Sequence, residues 1–419
     1  MLKKIIICCI VLFAQICFCQ NNSFTSEKER KEFKEKVNQL VKEVSSLKFN
    51  QGNAKKFNEF FWSIELIQIK NRDIYNTLKL AAKYFNNVDS ETQRGYLEVL
   101  YGLFPTEFTD EVFQILNKTE NPKLFAMCVH YLIRANYNAF DSKFYSDLTE
   151  RKFKEYKKNP ILLCLTEDIS KPGKDRPELA DLLQQPFGKN NIVIFSLQRK
   201  DRKNTGMVII KDANGKFVKD ENGGLFAVPQ MAMAVSNLPC YLTNGNTPQG
   251  IFSFKSIDAP TNKFIGTTPL LTTVLPFELS YDAWLPDSVK GKKVEWSLDL
   301  YKNLLPKSWQ NYFPIYYAFY AGKAGRSEIV SHGTAIDPSY YSKEKYTPFT
   351  PSLGCLSTKE IWDKDGRLVE SDQLKLLKAI GSTNKTKGFL VVVELDDKNE
   401  PVSLSEVENI IKELDNRGK

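Results

Sequence analysis

From about residue 25 to residue 160 the apolar positions recur at helical spacing. Phe57, Phe60, Phe61, Ile64 and Ile67 share one face, as do Leu124, Cys128 and Leu132, flanked by Phe125, Val129 and Ile133. Asn121-Pro122 predicts a helix start, with Asn as cap and Pro in the first turn. Asp89 predicts a cap for the helix carrying Tyr96, Leu97, Leu100 and Phe104. The stretches 96–104 and 124–133 look alike at an offset near thirty residues. A stacked, HEAT-like array of helix pairs fits this pattern, and an irregular helical bundle fits it nearly as well.

Around residues 166–190 the pattern breaks at Pro172-Gly173, Pro177 and Pro186, which marks a boundary. Beyond it the chain reads as strands at 192–197, 207–210, 226–235, 250–254, 270–279, 328–331 and 389–395. Asn214-Gly215 is a hairpin turn signal, and the aromatic run 313–320 reads as a core-packing strand. Helices are few here. Ser403 with Glu406 opens one over 404–414, and 371–380 forms another that stops at Gly381. The fold class expected is therefore α+β in two domains, all-α and HEAT-like first, mostly β with few helices second.

Composition adds an address. Residues 1–19 carry two lysines and then an unbroken apolar run from Ile5 to Ala14, which predicts a cleaved secretory signal peptide and a secreted or periplasmic protein. Bulky Ile16 and Phe18 before Cys17 and Cys19 argue against lipoprotein anchoring. The run is too short to span a bilayer, and no other stretch is long enough, so no transmembrane segment is expected. The formal charge of +8, or +6 without the leader, is spread through mixed Lys/Glu stretches, which gives no nucleic-acid footprint. Four cysteines survive cleavage, Cys128, Cys164, Cys240 and Cys355. They are too sparse for a disulfide scaffold and lack the spacing of a zinc site. No metal or cofactor is expected, and no phosphate-loop or dinucleotide fingerprint occurs.

The chain has only two histidines. His130 lies two residues past Cys128 on a helix and reads as a surface or structural residue. His332 sits in Ser331-His332-Gly333-Thr334, and twenty-three residues later comes Ser352-Leu353-Gly354-Cys355-Leu356-Ser357. Ser357 and Glu360 suggest a capping box, which would set Cys355 just outside a helix N-terminus, where a thiolate is favoured. His332 folded beside it would give the nucleophile-plus-base pair of cysteine acyl transfer. On the residues alone a second reading stands, with Cys355 a small buried hydrophobe and His332 a satisfied strand end.

These segments, with Asn246-Thr247-Pro248-Gln249-Gly250-Ile251-Phe252 ahead of them, resemble the YkuD-type L,D-transpeptidase domain of bacterial cell walls. The resemblance covers roughly residues 186–396. With the boundaries read above, the chain divides into a signal peptide (1–19), a helical domain (20–165), a linker (166–185) and, where the resemblance lies, a catalytic domain (186–419). The resemblance implies Cys355 as nucleophile, His332 as base, and Gly354, Ser352 and Gly333 in the oxyanion and active-site turn. Arg326, Ser357 and Thr334 are implied in substrate binding, with Arg326 or Lys323 replacing a charge the family carries near the thiol. The chain departs from the family at Leu353, where a second histidine is usual, at Ser357, where Arg or Asn is usual, and in a longer His–Cys loop. The partners implied are peptidoglycan stem peptides, with a protein partner for the helical domain. The acyl acceptor can be a second stem, a protein amine or water, and a degenerate, non-enzymatic binding module is the competing class. The helical half is expected to fold apart from the chemistry, so that residues 180–419 alone would keep the site.

Overall fold

The computed structural model describes residues 24–170, 175–188, 190–287 and 293–417; the expected signal peptide lies outside them. Helices dominate the first part because the sequence supplies both caps and apolar faces. They are α1 (Glu27–Ser45), α2 (Ala54–Leu66), α3 (Arg72–Lys83), α4 (Ser90–Leu103), α5 (Thr109–Lys118), α6 (Pro122–Arg134), α7 (Ser142–Lys152) and α8 (Pro160–Ser170). Asp89 accepts the Thr92 N–H at 2.8 Å to start α4, and Asn121 accepts those of Lys123 and Leu124 to start α6 behind Pro122. The faces predicted for α2 and α6 are the buried ones, with Phe57, Phe60, Phe61, Ile64, Leu124, Cys128 and Leu132 all inside. Each such large side chain taken fully from water contributes about 1.5–3 kcal/mol.

The described part of the expected linker, residues 175–185, is structured. Short helix α9 (Leu179–Gln184) buries Leu179, Leu182 and Leu183; the Trp309 indole donates to the Glu178 carbonyl and Arg176 to that of Leu395. Proline breaks the helical repeat here, but the leucines between the prolines still find a core.

The second part is an eight-stranded sheet with flanking helices. Its strands are β1 (Ile192–Gln198), β2 (Gly206–Lys211), β3 (Val228–Gln230), β4 (Gly250–Asp258), β5 (Leu270–Val274), β6 (Ser331–His332) and β7 (Leu356–Ser357), with β8 (Glu360–Trp362) and β9 (Leu368–Ser371) forming a separate ribbon before β10 (Gly388–Glu394). The order is β3-β2-β1-β10-β4-β5-β6-β7, with β1–β10 and β6–β7 parallel and the rest antiparallel. Asn214-Gly215 makes the turn after β2, with Gly215 at φ +81°. Strand alternation sends Ile194, Phe252 and Leu390 to one core, with Leu376 and Ile380 of α13 (Asp372–Ser382). Phe195, Ile251 and Val391 go to a second core that runs without a break into the helical part. Both faces are covered, which is why β1 and β10 read as continuous apolar runs.

Several expected elements differ, among them the strand expected over 270–279, which ends at Val274. The run 313–320 is a 3-10 turn, Phe313–Tyr316, leading into a helix, Tyr317–Lys323, because Phe313, Tyr316, Tyr317 and Tyr320 recur at helical spacing and Pro314 fits the first turn. No helix begins at Thr358. Ser357 exchanges backbone hydrogen bonds with Met231 at 2.8 Å each way, which makes the segment a strand. The strands expected over 226–235 and 328–331 shrink to Val228–Gln230 and Ser331–His332. The helix after Ser403 and the one after Ser371 are present, the latter running past Gly381 to Ser382.

Candidate active site

Cys355 and His332 come together through β6 and β7. The strands pair in parallel with Ser331 opposite Leu356 and His332 opposite Ser357, which sets Cys355 opposite Val330. Ser331 and Leu356 point into the interior, Leu356 to the apolar core and Ser331 to the Gln230 side chain at 3.1 Å. Carrying the register one residue back from β7 puts Cys355 on the same side of the ladder as His332. Gln373 fixes β6 by donating to the Ser331 carbonyl at 3.2 Å, and the Thr358 N–H donates to that of His332 at 2.9 Å.

The thiol is half-buried. Its sulfur accepts from the Val330 N–H and donates to the Glu328 carbonyl, each at 3.5 Å. It makes no hydrogen bond with His332, so the direct thiol–imidazole contact expected from the sequence is absent in this substrate-free arrangement. Nor is the thiol poised as a thiolate. Burial raises its pKa above the usual value, opposed by the Val330 N–H and the Arg326 charge. The expected helix N-terminus is missing, and with it the cause of the expected lowering.

His332 is 5% exposed, and burial lowers its pKa, so the ring is neutral at pH 7. Nδ1 meets the Gly333 carbonyl, which assigns the proton to Nδ1 and leaves Nε2, without a partner among the described residues, as the open base.

The turn before Cys355 is held by its own side chains. Ser352 Oγ accepts the Gly354 N–H at 3.0 Å and donates to the Cys355 carbonyl at 2.8 Å, while Thr247 Oγ1 donates to the Gly354 carbonyl at 2.9 Å. The Gly354 N–H is thereby spent. The Cys355 N–H has no acceptor among the described residues.

The residues expected to bind substrate are instead supports. Arg326 is 6% exposed and donates to the backbone carbonyls of Cys240, Gly245 and Asn246; burial lowers its pKa to about 10, still leaving it charged. Thr334 and Ser357 are buried, and both hydroxyls bind Thr350, the first at its hydroxyl (2.7 Å) and the second at its carbonyl (2.9 Å). Lys323 is exposed at the end of its helix. Leu353, in place of the family's histidine, is 41% exposed beside the thiol.

The helical part reaches the site through the loop 236–247. Glu98 of α4 accepts from Asn244 at 3.2 Å, Lys123 of α6 donates to Thr243 at 2.8 Å, and His130 Nε2 lies 2.5 Å from the Tyr241 hydroxyl. Gly102 of α4 faces the same loop, where a Cβ would come into van der Waals contact with Ser236 Cα at 3.4 Å. The far side of this loop supplies Arg326 with its acceptors and carries Thr247. The helices therefore contact the loop that lies behind the turn holding Cys355. Long-range contacts of this kind leave no local mark in the sequence, so Glu98 and Asn244 could not be found there as site residues, and Thr247 enters there only within the segment 246–252.

All four cysteines among the described residues are free thiols, and no group of three His, Cys, Asp or Glu there could hold a metal ion. No helix among them is long and apolar enough to cross a membrane. Cavities of about 1070 Å³ and 670 Å³ lie away from Cys355, one by α9 and the Asn214 turn, the other by Asp168 and Tyr317. No family model, curated protein or solved structure matches the chain.

Proposed function

We propose that the protein is a secreted cysteine acyltransferase of the L,D-transpeptidase kind acting on peptidoglycan stem peptides, its second part a YkuD-like domain and its helical part a HEAT-like array. The observation that carries the reading is the placement of Cys355 and His332 on one face of adjacent parallel strands, with Nε2 and the Cys355 N–H both open. The thiol proton turns from the Glu328 carbonyl to His332 Nε2. The thiolate then attacks the carbonyl of diaminopimelate in a tetrapeptide stem, and the Cys355 N–H receives the oxyanion. The bond to the terminal D-Ala breaks, and its nitrogen leaves with the proton held by His332. An amine of a second stem displaces the thioester; water in its place makes the protein a carboxypeptidase or amidase.

A rival reading rests on exposed Leu353 and the absent thiol–imidazole bond, which suit a degenerate module that binds wall or protein without turnover. Mass analysis of purified stem peptides incubated with the mature protein separates the three. Cross-linked products support transfer, trimmed products support hydrolysis, and unchanged peptides support the binding module.

A further inference from the structure

Glu360, at the start of β8, is 4% exposed and forms no ion pair among the described residues. Its Oε1 accepts from Ser371 Oγ at 2.7 Å, while buried Oε2 has no hydrogen-bond partner. The carboxyl is pressed onto Gly333, where a Cβ would lie 2.1 Å from Glu360 Cδ and 2.3 Å from Oε2. Only glycine leaves room for it. The Thr334 N–H and the Thr268 hydroxyl also face the carboxyl without closing well-formed hydrogen bonds.

That N–H belongs to the same peptide unit as the Gly333 carbonyl, which meets His332 Nδ1. One peptide thus has the imidazole on its oxygen side and the carboxyl on its nitrogen side. We propose that Glu360 is a positioning residue for His332, acting through the Gly333–Thr334 peptide; the inference rests on His332 serving as the base of Cys355.

When His332 takes the thiol proton at Nε2, the ring becomes a cation whose Nδ1–H draws on the Gly333 carbonyl. An ionised Glu360 polarises the peptide N–H and makes that carbonyl a stronger acceptor. A protonated Glu360 does not. Burial raises its carboxyl to about 7, so the support is set by pH near neutrality. The groups facing it are Asp372 of α13, which raises it further and is itself paired with Lys375 at 2.7 Å, and the Thr268 and Ser371 hydroxyls, which lower it. On the β8–β9 ribbon, Lys359 pairs with Glu370 at 2.8 Å.

The test reads His332 and Cys355 directly and needs no peptidoglycan, so it fails or succeeds apart from the stem-peptide assay. The full chain has two histidines, so ring ¹⁵N–¹H spectra resolve His332 with His130 as internal control. In Glu360→Gln the His332 titration moves to lower pH while that of His130 stays in place. Iodoacetamide labelling of Cys355, followed by peptide mass, loses an inflection near neutrality and slows about tenfold at pH 7.5, the equivalent of about one pKa unit in the base. Thr268→Val, which keeps the acid and removes one donor, moves that inflection upward and covers the case in which the Gln variant does not fold. An unmoved His332 titration in Glu360→Gln, or a labelling profile unchanged in both variants, overturns the proposal.

Discussion

The guanidinium of Arg326 fills the space into which a side chain at Gly354 would grow. A Cβ at residue 354 would stand 2.3 Å from Arg326 Nη2 and 2.5 Å from the Gly245 carbonyl, and the backbone there has φ +114°. The Gly-Cys step is therefore fixed by steric closure from beneath as well as by its own conformation. Gly354→Ala should cost about 1–3 kcal/mol from strain alone. It should also displace the Cys355 N–H, so activity falls further than stability; thermal melting and turnover of the same preparation check this.

Arg326→Lys keeps the charge but not the planar fork. An ammonium on a single stem does not serve the three carbonyls of Cys240, Gly245 and Asn246 in their present places. Leaving buried carbonyls unpaired should cost about 1–3 kcal/mol each. Cys355 should label more slowly at neutral pH, because the charge that opposes its raised pKa moves away. Chemical denaturation and labelling rates measure the two effects separately.

The buried acid at the seam predicts a pH dependence of stability. Asp168 accepts from the Tyr317 hydroxyl, and burial raises its carboxyl from 3.8 to about 7. The folded chain therefore holds a proton that the unfolded chain releases, and this contribution is present below pH 3.8 and lost as pH rises toward 7. His130 works in the opposite sense. Burial lowers it from 6.5 to about 4, so stability is lost as pH falls through that window. Asp168→Asn removes the first dependence and leaves the second. Relative to wild type, the variant should gain stability between pH 5 and pH 8, as read by denaturation at both.

The helical part should be required for the site. Residues 186–419 expressed alone would expose Tyr241, Leu238 and Leu242, which are buried in the core shared with the helices. They would also lose the Glu98, Lys123 and His130 contacts to the loop behind Arg326. Such a fragment should be poorly soluble, or folded with slow labelling at Cys355, while the full chain unfolds in one cooperative transition. Size-exclusion chromatography and calorimetry decide it.

What was legible in the sequence follows from the range of the interactions involved. Helix caps at Asp89, Asn121 and Ser403 act over three residues, and each stands where the pattern placed it. The buried faces of α2 and α6 and the runs of β1 and β10 follow from periodicity. Ser357 and Glu360 misled because a capping box is a local pattern, whereas their partners, Met231, Thr350 and Ser371, come from elsewhere in the chain. Arg326 misled for the same reason. Its three acceptors lie 80, 81 and 86 residues back, so a buried strut reads as a free cation.

The most direct test of the central claim is the intact mass of the protein after brief exposure to a purified tetrapeptide stem. The account predicts a single adduct equal to the stem less its terminal D-Ala, mapped to Cys355 and absent in Cys355→Ala, whose fold should be unchanged. His332→Ala should slow its formation by at least about a hundredfold, the low end of general-base assistance. No adduct on a folded protein, or an adduct at Cys128, Cys164 or Cys240, would contradict it.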